Sequence, residues 1–244
     1  MIEIFTGYFG SGKTEIALNR AVSLTAAGQR VHVVDLDIVK PYFRSREARA
    51  FLAEAGVDLI MPNGDWEDAD LPVVSPRVLG ALTSAEGEVL IDVGGDAAGA
   101  LALAAFAPIL HKRGYRMFLV INPYRPFAGD AAGLQALRLE IEHASQLRID
   151  GIVSNPNLGE KTEWEDLLAG YAQVNAMARG LDLPVLMTGV TERWAERLER
   201  ELAERAGWSQ GERPAGPRQR VRNYLLPPWE SEEGQVNRIG PPFH

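Results

Sequence analysis

The chain has 244 residues, of which 46% are apolar and 24% charged, and its formal net charge is -8 at pH 7. These values are typical of a soluble globular protein that is long enough to bury one sizeable core. The negative charge argues against sequence-independent binding of nucleic acid, because a phosphate backbone would be repelled. The absence of cysteine excludes disulfides, cysteine-ligated zinc and iron–sulfur clusters held by this chain.

The N-terminus leads directly into an apolar, β-rich segment, Ile2-Glu3-Ile4-Phe5. It lacks the basic region followed by an apolar stretch that is typical of a secretory signal. No apolar run in the sequence is long enough to span a bilayer. We therefore expect a cytoplasmic protein without a membrane anchor.

Short β-rich runs alternate with longer helical patterns, which predicts an α/β fold with a mainly parallel sheet of about seven strands between two helical layers. The predicted strands are residues 2–6, 30–36, 57–61, 88–93, 115–122, 150–154 and 184–188. The predicted helices are residues 13–27, 44–55, 129–147, 163–180 and 191–206.

The pattern predicts one nucleotide-binding domain, residues 1–206, followed by a C-terminal tail, residues 207–244. The tail is rich in Pro and Gly, and periodicity is lost there. Within the domain, residues 62–76 have the composition of an unusually long loop, and such loops are often functional.

The first predicted strand is followed by a G-x-x-x-x-G-K-[ST] phosphate loop. Its glycines allow a tight curl that points backbone N–H groups at phosphate oxygens, and the helix that follows adds its dipole. Lys13 would reach the terminal phosphates, and Thr14 would bind magnesium. The predicted nucleotide contacts in this segment are Gly7, Tyr8, Phe9, Gly10, Ser11, Gly12, Lys13, Thr14 and Glu15.

A magnesium site near the phosphates needs a carboxylate at the end of a neighbouring strand. Asp92 follows the apolar run Val89-Leu90-Ile91 and is the predicted partner of Thr14. Gly95 leaves the backbone free to approach the γ-phosphate. Asp96 has two interpretations, a helix cap and a site residue.

The second predicted strand ends in Val34-Asp35-Leu36-Asp37. Alternation places the carboxylates of Asp35 and Asp37 on one face at the carboxyl end of the strand, where open α/β sheets bind ligands. One of them can support magnesium while the other orients the attacking water.

By the order and spacing of these elements, residues 1 to about 190 resemble the MinD/ParA family of P-loop ATPases, which is grouped with CobQ/CobB-type nucleotide-binding domains. The resemblance implies a P-loop NTPase fold in which Asp35 and Asp92 support Mg²⁺. It also implies that Asp37 activates the hydrolytic water and that Asn155 contacts the base. From the residues alone, Asn155 is equally well interpreted as a turn cap before Pro156.

The nucleotide is predicted to be ATP rather than GTP. A GTPase of this general class would carry an aspartate three residues after Asn155, and Leu158 stands there instead. Without that carboxylate the site lacks an acceptor for the guanine edge.

Tyr8 is the main departure from the family pattern, because dimer-forming members carry a signature lysine at this position. That lysine reaches the partner's phosphates, in a role like that of an arginine finger. Arg44, Arg46 and Arg125 are candidate substitutes, and the alternative is that they are ordinary surface arginines. A homodimer is therefore one candidate oligomeric state, which the resemblance alone suggests.

Three functions are compatible with these motifs. The leading hypothesis is an Mg²⁺-dependent ATPase that cycles between ATP and ADP as a switch for a protein partner. The second is a small-molecule kinase or CobB-like ligase whose acceptor site is lined by the loop at residues 63–71. The third is a nucleotide sensor that does not hydrolyse ATP.

Overall fold

A parallel sheet forms the centre of the protein in a computed structural model that describes residues 1–36, 46–61, 76–83, 86–126, 131–204 and 213–222. Its strands are β1 (Ile2–Thr6), β2 (Val31–Asp35), β3 (Asp58–Ile60), β4 (Glu88–Asp92), β5 (Arg116–Ile121), β6 (Gly151–Ser154), β7 (Val185–Thr191) and β8 (Arg218–Val221). The helices are α1 (Lys13–Ala26), α2 (Arg46–Glu54), α3 (Pro76–Thr83), α4 (Ala97–Ala104), α5 (Ala107–Arg113), α6 (Ala131–Ser145), α7 (Trp164–Gly180) and α8 (Glu192–Ala203).

The strands are hydrogen-bonded in the order β3-β2-β4-β1-β5-β6-β7-β8, and every pair is parallel. β1 therefore lies inside the sheet, with β4 on one side and β5 on the other. The loop that leaves β1 emerges in the middle of the carboxyl edge, where ligands bind in open α/β sheets.

Side chains of β1 alternate between two apolar layers. Ile2 and Ile4 pack into a core that includes residues of α3, α4, α5, α6 and α7. Phe5 packs on the opposite face, against α1 and α2. Strands buried on both faces are expected in a parallel sheet covered by helices. The structure confirms the predicted three-layer α/β/α sandwich.

An ion pair fixes α1 against the sheet beneath it. Glu3 is buried in β1, and its carboxylate accepts two hydrogen bonds from the guanidinium of Arg20 at 2.9 and 3.1 Å. A buried carboxylate needs such a bidentate partner, because leaving its charge unpaired would lower the stability of the fold by about 3 to 5 kcal/mol. The pair thereby joins the middle of α1 to the beginning of β1.

β8 lies in the segment predicted as an extended C-terminal tail, where no strand was predicted. Arg218–Val221 adds an eighth strand beside β7. Asn19 of α1 makes reciprocal hydrogen bonds with the backbone of Arg222, both at 2.9 Å. The strand is short, and its buried residues are Gln219 and Val221. Val221 is therefore the one apolar residue in the strand that could have indicated it. Residues 223–244 of the predicted tail lie outside the described residues.

Three helices were absent from the predicted elements: α3, α4 and α5. α4 has the sequence AAGALALA, which contains no polar residue and therefore no helical alternation of polar and apolar faces. α3 begins at Pro76, the last residue of the predicted long loop. Residues 62–75 of that loop lie outside the described residues.

Candidate functional site

The phosphate loop joins β1 to α1, as the sequence predicts. Gly10 and Gly12 have φ values of 79° and 86°, in the left-handed region that favours glycine. At Gly7, a Cβ atom would lie 2.4 Å from the carbonyl oxygen of Val120 on β5. The loop therefore needs glycine for its curl at two positions and for its close approach to β5 at a third.

The first turn of α1 presents the polar residues of the motif. The N-cap residue is Gly12, which has no side chain to accept hydrogen bonds from the first turn. The N–H groups of that turn are therefore not capped by this residue. Lys13 and Thr14 are buried, and Glu15 follows them in the same turn. A helix N-terminus of this kind attracts anions through its N–H groups and its dipole.

Thr14 contacts the carboxylate at the end of β4. Its hydroxyl donates a 2.6 Å hydrogen bond to Oδ2 of Asp92, and both residues are buried. Asp35 at the end of β2 is the register partner of Asp92, and neighbouring strands lie about 4.8 Å apart. Val33 and Leu90 pack on the α1 side of the sheet. Each aspartate lies two residues after one of them on the same strand, so both carboxylates face the α1 side as well.

The structure thus brings the oxygen atoms of Thr14, Asp35 and Asp92 together beside the phosphate loop. Oxygen ligands of this kind suit Mg²⁺, which usually takes one or two protein oxygens together with phosphates and water. Among the described residues, no group of three or more His, Cys, Asp or Glu side chains is placed to hold a metal by itself. The donor set therefore fits a cation shared with a bound phosphate.

Gly95 packs directly on the phosphate loop. A Cβ atom at this position would lie 1.8 Å from the carbonyl oxygen of Gly7. The hydroxyl of Thr6 also donates to the carbonyl of Gly94, at 3.4 Å. The segment after β4 is therefore in contact with the loop itself, a packing reason for glycine that the sequence alone does not reveal.

Tyr8, the residue at the signature-lysine position, is directed into its own subunit. Its hydroxyl donates to the carbonyl oxygen of Gly133 on α6 at 3.1 Å, and its ring packs against the core on the α4 and α6 side. The phosphate loop is thereby connected to α6. Phe9, the next residue, is 58% exposed.

Arg125 lies against the tip of the loop. Its Nε donates a 3.0 Å hydrogen bond to the carbonyl oxygen of Gly10, and the residue is exposed. Of the three arginines proposed to replace the signature lysine, this is the one that the structure places at the loop. Arg44 lies outside the described residues, and Arg46 begins α2.

Asn155 supports the loop from the β6 side. The residue is 2% exposed, and its Nδ2 donates a 2.8 Å hydrogen bond to the carbonyl oxygen of Ser11. A Cβ atom on Gly12 would lie 2.3 Å from the same Nδ2. Neither interpretation of Asn155 made from the sequence, base contact or turn cap, includes this contact.

Asn122, which is not among the predicted site residues, organises the turns that follow β5 and β6. Its side chain accepts a 3.1 Å hydrogen bond from the backbone N–H of Tyr124 and donates one of 2.7 Å to the carbonyl of Asn157. A usable signal exists, because Asn122-Pro123 and Asn155-Pro156 repeat the same dipeptide after neighbouring strands.

Tyr124 anchors the same turn to α7, where its hydroxyl donates to the backbone carbonyl of Asp166. Burial raises the pKa of the Tyr124 phenol, the negative charge of Asp166 raises it further, and a backbone hydrogen bond at Gly170 opposes these effects. The phenol therefore stays protonated and able to donate at neutral pH.

Two predicted site residues have other outcomes. Asp96 is the N-cap of α4, and its Oδ1 accepts a 2.8 Å hydrogen bond from the N–H of Gly99, so the cap interpretation is confirmed. Asp37, the predicted water-activating residue, lies outside the described residues.

The sequence matches no described protein family, and no curated protein is similar to it in sequence. Its fold is similar to solved structures of FtsY from Thermotoga maritima (TM-score 0.53, 20% identity, 78% of this chain and 61% of that chain) and from Mycoplasma mycoides (0.50, 22%, 78% and 59%). It is also similar to the 54 kDa signal recognition particle protein from Aeropyrum pernix in complex with GDP (0.51, 18%, 75% and 40%).

The chain thus matches less than two thirds of the length of each of these proteins. At these identities the similarity shows the fold alone, a three-layer α/β/α sandwich around a parallel sheet. It does not single out the MinD/ParA family. Within the described residues, no helix combines the length and apolar character needed to cross a membrane.

Proposed function

We propose that the chain binds MgATP at residues 7–14 and hydrolyses it, and that the nucleotide controls binding of a protein partner. The observation that carries this proposal is the contact between Thr14 and Asp92 at the start of α1, with Asp35 in register beside Asp92. It supports a magnesium site next to the phosphate loop, which is the arrangement that phosphoryl chemistry requires.

Each polar group at the site has a distinct role in this proposal. The N–H groups of the loop and Lys13 bind the phosphates, while Thr14, Asp92 and Asp35 hold Mg²⁺ directly or through water. When bound, the ion neutralises charge on the phosphate oxygens. Asp37 orients the attacking water; this role rests on its place in the sequence, two residues after Asp35.

The proposed base is adenine. Leu158 stands where a carboxylate would accept hydrogen bonds from guanine, and its side chain is exposed. If an acceptor at this position selects guanine, Leu158→Asp should raise the affinity for GTP relative to ATP by about tenfold or more, since one hydrogen bond to a charged group contributes roughly 1.5–3 kcal/mol. Calorimetric titration with both nucleotides measures this ratio. A wild-type preference for GTP would contradict the adenine assignment.

Contacts around the loop support a switch. Gly95 packs on Gly7, and the segment that it belongs to leads through the Asp96 cap into α4. Tyr8 connects the loop to α6, and α4 packs against α6. A nucleotide that shifts the loop would therefore act on two adjacent helices, and their surface is the proposed site of partner binding.

Phosphate release under saturating ATP and Mg²⁺ tests hydrolysis. Asp37→Ala should abolish release while ATP binding survives, because the substitution removes the group that orients water but none that binds phosphate. Glu196→Ala removes an exposed carboxylate of α8 and serves as the matched control. Unchanged turnover in Asp37→Ala would exclude the assigned role.

A second candidate is a nucleotide sensor without hydrolysis. It is favoured by Tyr8, whose hydroxyl bonds Gly133 of its own chain and brings no positive charge to a partner's phosphates. Tight ATP binding by the wild-type chain, with phosphate release at the background rate, distinguishes this function from the first.

A further inference from the structure

We infer that Arg125 is a phosphate-binding residue that acts within its own chain. It supplies, on the β5 side of the loop, a positive charge that Tyr8 does not supply. The inference rests on the proposed nucleotide binding and adds to it a second cationic contact besides Lys13.

The position of the guanidinium carries this inference. Nε of Arg125 is 3.0 Å from the carbonyl oxygen of Gly10, and a Cβ atom on Gly10 would lie 3.2 Å from the same nitrogen. The two terminal nitrogens make no hydrogen bond with any described residue. Because the guanidinium is a planar fork, fixing Nε at the loop leaves both terminal nitrogens beside it as donors.

The turn that bears Arg125 is pinned on several sides. The N–H of Arg125 donates to the carbonyl of Asn122 at 3.2 Å. The Asn122 side chain bonds both the N–H of Tyr124 and the carbonyl of Asn157, and the Tyr124 hydroxyl reaches α7. Because the turn is already held in place, little conformational entropy would be lost when its arginine binds a ligand, as expected for a preorganised contact.

The sheet order decides which side of the ligand Arg125 approaches. β1 lies between β4 and β5. Thr14, Asp92 and Asp35 gather on the β4 and β2 side, whereas Arg125 follows β5. A phosphate chain in the loop would therefore meet the cation cluster on one side and the arginine on the other, so the two contacts do not compete. Arginine suits this task because its fork binds phosphate oxygens in pairs.

The simplest competing role for Arg125 is structural, since its bond to Gly10 also braces the loop. Two substitutions separate the roles. Arg125→Gln keeps an N–H donor for Gly10 and removes the charge, whereas Arg125→Lys keeps the charge and loses the planar fork. If the charge binds phosphate, Arg125→Lys should bind nucleotide more tightly than Arg125→Gln. If Arg125 only braces the loop, Arg125→Gln should bind nucleotide at least as tightly as Arg125→Lys, because its amide nitrogen can replace Nε as the donor to Gly10.

The experiment is calorimetric titration of the full chain and its variants with adenosine, MgADP and MgATP at two salt concentrations. We expect Arg125→Gln to bind MgADP and MgATP about tenfold or more weakly, to bind adenosine normally, and to show a weaker salt dependence. Arg30→Ala removes an exposed arginine next to the opposite end of the sheet and should behave as wild type.

Wild-type affinity for MgADP and MgATP in Arg125→Gln would overturn the inference. So would an equal loss for adenosine, or nucleotide binding by Arg125→Gln that is at least as tight as binding by Arg125→Lys. These outcomes differ from failure of the proposed function. In that case the wild-type chain and Arg30→Ala would themselves bind neither MgADP nor MgATP.

Discussion

Thr14 donates a 2.6 Å hydrogen bond to Asp92, although the two residues are 78 positions apart in the chain. The bond joins the first turn of α1 to the end of β4. Hydroxyl and carboxylate are the side-chain groups that a magnesium ion shared with phosphate would use. Binding of the metal would therefore replace or stretch this bond, and the two residues should act as a unit.

Substitution of Thr14 or Asp92 should remove the effect of magnesium on nucleotide binding. We expect Thr14→Val and Asp92→Asn each to bind ATP with nearly the same affinity in Mg²⁺ and in EDTA, because each variant loses an oxygen ligand or its charge. The wild-type chain should bind at least about tenfold more tightly with Mg²⁺, corresponding to about 1.4 kcal/mol. Calorimetric titration measures the difference, and a persistent magnesium effect in both variants would place the metal elsewhere.

Gly95→Ala should distort the phosphate loop, because the new Cβ would overlap the carbonyl oxygen of Gly7, 1.8 Å away. We expect a loss of about 1–3 kcal/mol in stability together with weaker ATP binding. Gly80→Ala is the control: Gly80 is exposed on α3, a Cβ atom there would have no neighbouring atom within 4 Å, and alanine favours helix. Urea unfolding and ATP titration of both variants test this. Equal behaviour of the two would show that the close approach at Gly95 does not matter.

Asn155→Ala should weaken the loop from the opposite side. The substitution leaves the carbonyl of Ser11 without its buried donor, at a cost of about 1–3 kcal/mol. Because the loop itself is affected, ATP, GTP and ADP should all bind more weakly and by similar factors. Comparison of the three affinities is the measurement. A loss confined to one base would instead favour direct contact between Asn155 and that base.

Tyr171 should make stability fall at alkaline pH. The side chain is 1% exposed, its hydroxyl donates to the carbonyl of Gly189 at 3.1 Å, and burial raises the pKa of the phenol above its ordinary value of 10.0. The unfolded chain therefore loses this proton first. The contribution is fully present below about pH 10 and declines as pH rises toward the higher native pKa.

Tyr171→Phe provides the comparison for this effect. The variant lacks the titrating phenol, so its free energy of unfolding should fall less steeply above about pH 10, although it is lower at pH 8 because the hydrogen bond to Gly189 is lost. Urea unfolding at several alkaline pH values gives both slopes. Parallel slopes would assign the alkaline transition to other groups.

The features that could be predicted from the sequence are those encoded locally. The spacing of Gly7, Gly12 and Lys13 specifies the loop by itself, and the apolar runs before Asp35 and Asp92 place both carboxylates at strand ends. Their meeting at one edge follows from the general rule for parallel sheets. The three-layer fold follows in the same way from the alternation of strands and helices.

The features that could not be predicted depend on which strands are neighbours. Arg125 and Asn155 reach the loop because β5 lies beside β1 and β6 lies beside β5. No local sequence pattern specifies this order of strands. The sequence did not predict β8, and the reason is different. Only four residues long, it exposes Arg218 and Arg220 and buries Gln219 and Val221, so its alternation offers one apolar residue in a segment rich in Pro and Gly.

The most direct test of MgATP binding at the loop is a calorimetric titration of the wild-type chain and Lys13→Ala with ATP in the presence of Mg²⁺. Lys13 is the buried first residue of α1 and the proposed contact to the terminal phosphates. We expect saturable binding of one ATP per chain by the wild type and a loss of at least about tenfold in affinity in Lys13→Ala. Absence of binding by the wild type, or equal affinity in the variant, would contradict the proposed site.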